Sequence, residues 1–77
     1  MNIRAARIKL DKLDWVIREL FMELEDLQAA IDKLSSDIEK GVYHGSDEAD
    51  EHLESFLAHV EKFKRNFQEL KNVIAEG

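Results

Sequence analysis

Apolar residues recur through the first half of the chain in alternating steps of three and four: Ile3, Ala6, Leu10, Leu13, Ile17, Leu20, Leu24, Leu27, Ile31, Leu34 and Ile38. Steps of this kind lay a continuous stripe along one side of a helix, because they average close to one helical turn. A second series, Ala49, Leu53, Phe56, Val60, Phe63, Phe67, Leu70 and Ile74, keeps the same rhythm. Between the two lies Gly41-Val42-Tyr43-His44-Gly45, which belongs to neither. The pattern predicts an all-α, two-helix antiparallel hairpin of the coiled-coil type. Its single domain over residues 1–77 divides into a helix over 3–40, a turn over 41–46 and a helix over 47–76. Both apolar series are expected to face each other, with Phe56, Phe63 and Phe67 in the core.

The predicted ends carry matching chemistry. Asn2 suits the N-cap of the first helix, where a side-chain oxygen satisfies an otherwise free amide. Gly41 suits the left-handed position that ends it, with Lys40 at the negative end of the helix dipole. Ser46 followed by Asp47 and Glu48 reads as the start of the second helix. The absence of proline leaves both helices uninterrupted. At about 1.5 Å per residue the first helix outruns the second, so its basic N-terminal turns are expected to project beyond it.

A lone hairpin does not use these stripes fully. Val16, Phe21 and Ala30 widen the first, and Leu57 and Val73 widen the second. Stripes of this width serve helices with two neighbours, so these five residues are the expected dimer interface of a homodimeric four-helix bundle. The charge of −6 is unevenly spread. Basic residues gather near both termini, whereas residues 19–32 and 47–61 carry acids and no Lys or Arg. Two hairpins with their loops at opposite ends would set basic regions beside acidic ones, which favours that antiparallel dimer. In outline such a dimer resembles the small plasmid RNA-binding regulators of the Rop type, which are also dimers of helical hairpins. The resemblance is one of architecture.

Composition removes several function classes. Without cysteine there is no disulfide, thiol chemistry or thiolate metal site. No apolar run suggests a signal peptide or membrane span, so a soluble, cytoplasmic protein without membrane association is expected. An acidic protein is a poor general ligand for nucleic acid. No phosphate-binding loop or nucleophile–base pair is present, and neither an enzyme nor a cofactor is expected. A metal site is not expected either: His52 and His59 stand two turns apart, and the residues three before them are Ala49 and Phe56.

What remains points to binding. Ile8, Trp15 and Met22 repeat every seven residues away from the first stripe, and a Trp in such a row is a natural protein anchor. The leading expectation is a non-enzymatic protein–protein interaction module, an accessory, adaptor or inhibitor, that presents a helical face to a partner. The alternative is a nucleic-acid-related regulator. It would act either as a Rop-like bundle through the basic end, Arg4, Arg7, Lys9 and Lys12, or by mimicry of phosphate charge. The acidic surface for mimicry would be Asp47, Glu48, Asp50, Glu51 and Glu54, blocking a nucleic-acid-binding protein.

Overall fold

The computed structural model describes residues 1–76, leaving Gly77 at the end of the expected domain outside the described residues. Two helices, α1 (Ile3–Lys40) and α2 (Asp47–Glu76), fold back on each other as an elongated hairpin. The molecule measures 59 × 14 × 11 Å. No helix among the described residues is long and apolar enough to cross a membrane.

Each helix stops where its local chemistry directs. The Asn2 side chain accepts the Ala5 amide at 3.1 Å. At the other end Gly41 adopts φ 72°, the left-handed conformation that costs a Cβ-bearing residue most. Its amide reaches the Ile38 carbonyl, and the next amide, from Val42, reaches Asp37 at 2.9 Å. Together they satisfy carbonyls that the helix leaves free. The Ser46 carbonyl accepts the Asp50 amide at 2.9 Å. Its hydroxyl donates to the Asp50 carboxylate at 3.1 Å, a different use from simple amide capping.

The helices face each other along a line other than the predicted one. On α1 the inward row runs Ala6, Leu13, Leu20, Leu27 and Leu34, together with Lys9, Val16, Glu23, Ala30 and Asp37. On α2 it runs Ala49, Phe56, Phe63 and Leu70, together with His52, His59, Asn66 and Val73. Only half of each apolar series is therefore used. Ile3, Leu10, Ile17, Leu24, Ile31 and Ile38 lie exposed, as do Leu53, Phe67 and Ile74, with Val60 half-buried. Phe67 is 45% exposed, against its expected place in the core.

The roll of the helices has a physical return on its other edge. Turning each apolar stripe to one side brings charged positions together opposite it. Lys9 meets Glu69 at 2.9 Å, Lys62 meets Glu19 at 3.4 Å and Lys33 meets Glu48 at 3.4 Å. The hairpin thus has one edge laced by ion pairs and one edge that is apolar.

The structure also places the residues named for the dimer interface and the basic N-terminus. Val16, 2% exposed, and Ala30 are buried within the single chain, and Val73 packs against the cluster of Ala6, Leu13 and Leu70. These three serve the hairpin's own core, while Phe21 and Leu57 remain exposed. The basic N-terminus does not project freely either, because Ile74 shares a groove with Ile3 and Leu10. The extra length of α1 lies at the loop end, where His44, Gly45 and Ser46 come back beside Leu34 and Asp37.

Candidate functional site

An apolar edge runs along the hairpin. Near the termini, Ile3, Leu10, Leu70 and Ile74 line one groove with Arg7 at its margin. Midway, Ile17, Leu20, Phe21, Leu24 and Phe56 line the next. Toward the loop, Ile31, Leu34 and Ile38 continue it, with Glu39 at the margin. Side chains seven apart lie on one side of a helix, so the three stretches form one surface along the molecule. Phe67 joins it on α2, stacked on Phe63 with centroids 6.2 Å apart and planes within 7°. The Lys71 ammonium covers the Phe67 ring at 5.6 Å.

Phe21, 63% exposed, and Leu57, 52% exposed, broaden this surface at its middle. The ion pairs of Lys9 with Glu69 and His59 with Glu19 fix the register of the helices. In that register Leu57 stands level with Phe21. The α1 row from Ile3 to Ile38 gives half of the first apolar series to this open side. Sequence periodicity located these residues, but it assigned them to the contact between the two helices, where they do not lie.

The Ile8, Trp15 and Met22 row is exposed, Trp15 at 63%. It lies on a different side: Trp15 and Ile17 are about 160° apart around the helix at ~100° per residue. Trp15 borders a shallow groove with Lys12, Val16, Lys62 and Asn66. The Arg18 guanidinium sits 5.3 Å from the indole centroid, so the ring is backed by a cation on its own helix.

The charged candidates are spread differently. Arg4, Arg7 and Lys12 are exposed near the termini, while Lys9 is half-buried and held by Glu69. Of the acidic run, Glu48 pairs with Lys33 and Asp50 accepts from Ser46, whereas Asp47, Glu51 and Glu54 are exposed. The run lies beside the turn at the loop end.

Both histidines face α1. His59 places Nε2 3.2 Å from Glu19 and holds Nδ1 2.9 Å from the Ser55 carbonyl. His52 brings a ring nitrogen within 4.8 Å of carboxylate oxygens of Glu23 and Asp26. This trio joins two helices, which explains why a search for ligands along one helix missed it. Two carboxylates and an imidazole are donors that a divalent cation accepts. Asp26 is exposed, however, and nothing further singles the trio out.

Comparison with protein-family models, with curated proteins and with solved structures finds no match to this chain.

Proposed function

We propose that this hairpin is a non-enzymatic protein–protein interaction module, and that its main binding surface is the open apolar edge. The observation that carries the reading is the row Ile3, Leu10, Ile17, Leu24, Ile31 and Ile38, left uncovered beside Phe21, Leu53, Leu57 and Phe67. Water-exposed rows of this length are unfavourable in a free chain, and their burial against further helices is the strongest driving force available here. Closure by two more helices makes a four-helix bundle.

The Trp15 row supplies a second, separate surface. With the apolar edge occupied, Ile8, Trp15 and Met22 remain outside the bundle and available to a target protein. The module then acts as an adaptor or inhibitor, rigid in its bundle and specific through its Trp anchor.

Light scattering after gel filtration tests this reading. A mass near twice 9.0 kDa, reduced to that of one chain by Phe21→Glu and unchanged by Trp15→Ala, is the expected result. A wild-type chain that stays folded and monomeric at micromolar concentration overturns closure into a bundle.

A further inference from the structure

The open edge has a middle and two unlike ends, and these features specify what covers it. We propose that a second copy of this chain seats on the open edge with its loop at the opposite end, the twofold axis passing beside Phe21 and Leu57. This rests on the reading that the edge is the interaction surface, and it names the occupant and its orientation.

The first argument is area. The chain exposes 5939 Å², whereas a compact monomer of 9.0 kDa exposes about 4,900 Å². The excess, roughly 1,000 Å² per chain, is the amount that each partner in a stable homodimer buries.

The second argument is charge. At the terminal end the apolar edge is bordered by Arg7, and at the loop end by Glu39. Lys64 and Lys71 border it on the terminal half of α2 and Asp50 on the loop half, with Asp14 of the Arg7 row an acid on the terminal half. With loops at opposite ends and the axis at Phe21, each copy's Arg7 comes within about one helical turn of the partner's Glu39. With loops together, the bases of both copies crowd at one end and the acids at the other. Like charges set side by side disfavour that arrangement.

The third argument is shape. A twofold axis perpendicular to the hairpin must cross it halfway along if both ends are to overlap fully. Halfway between Met1 and the turn is where Phe21 and Leu57 widen the apolar surface. An isologous contact places the same residues on both sides of its axis, so the widest part of the edge meets itself.

A single spin label tests the orientation. The chain has no cysteine, so His44→Cys at the exposed turn gives one label per copy with little risk to folding. Pulsed dipolar spectroscopy on the doubled species is expected to give a distance near the 59 Å length of the hairpin. A distance of roughly 20 Å, twice the 8–10 Å spacing of packed helices, overturns the proposed orientation and axis. It would leave the apolar edge as an interaction surface. A labelled chain that remains folded at monomer mass overturns the second-copy occupant and bundle closure together. The mass and the distance therefore separate the two failures.

Discussion

The Lys9 ammonium lies 2.9 Å from the Glu69 carboxylate, joining the first turns of α1 to the last turns of α2. That hydrogen bond and the lysine's charge hold the Glu69 carboxyl below its ordinary range. A carboxyl with a lowered folded-state pKa adds stability that is complete above the unfolded-state pKa. This stability disappears as pH falls through the lowered value. Glu69→Gln is therefore expected to lower the urea midpoint at neutral pH, with the gap from wild type closing in acid. Both groups are solvent-accessible, so the gap at neutral pH is expected to be small and to shrink with added salt.

Val16 and Trp15 are adjacent in sequence and opposite in environment, at 2% and 63% exposure. Val16→Ala removes two buried methyl groups and is expected to cost about 2 kcal/mol, by the transfer value of each carbon plus the space left behind. Trp15→Ala is expected to change stability by only about 0.5 kcal/mol, the range of ordinary surface substitutions. Paired urea titrations measure both. Equal losses would contradict the inward row described for α1.

Gly41 holds φ 72°, and beyond its own chain neighbours nothing lies within 4 Å of where a Cβ would stand. The cost of a side chain there comes from the backbone alone. Gly41→Ala is expected to destabilise the hairpin by about 1 kcal/mol, and Gly41→Asn by less, because asparagine tolerates the left-handed region better. Thermal melts of the two variants read the order. An alanine variant as stable as wild type would mean that the turn changes conformation without loss.

The Arg7 and Glu39 margins give a charge-reversal test of the loops-opposite dimer. Arg7→Glu alone is expected to weaken association several-fold at low salt, and Glu39→Arg to do the same. The double variant is expected to recover most of the loss, because each copy's reversed pair meets again across the interface. Sedimentation equilibrium at low and high salt provides the affinities. Additive losses in the double variant would show that residues 7 and 39 do not meet.

The helices were legible in sequence because their ends are written locally: Asn2, Gly41 and the Ser46-Asp47-Glu48 start each act within one turn. The hairpin was legible because two stripes of one rhythm flank a two-glycine turn. The direction of those stripes was not. A step pattern of three and four defines two neighbouring rows, and it is silent on which row meets the partner helix. In the structure Lys9, Glu23 and His52 stand on the inward line. Their presence there leaves Leu10, Ile17, Leu24 and Leu53 outside. Cross-helix relations such as Lys9 with Glu69, or the trio of Glu23, Asp26 and His52, depend on register, and single-helix spacing carries no register. The exposed row of Ile8, Trp15 and Met22 was legible as exposed, since it lies far from either apolar row.

The thinness of the hairpin's own core has a consequence for how much protein must be present. Among the described residues only Ala6, Leu13, Val16, Ala30 and Leu70 are buried hydrophobic side chains. If the apolar edge is closed by a second copy, a share of the folding energy arrives with that copy, and folding becomes second order in chain. Dilution then acts as a denaturant: the melting temperature falls with each tenfold drop in concentration, as mass action requires. The amount of chain made would itself set the threshold between an ordered assembly and short-lived, protease-sensitive strands of polypeptide.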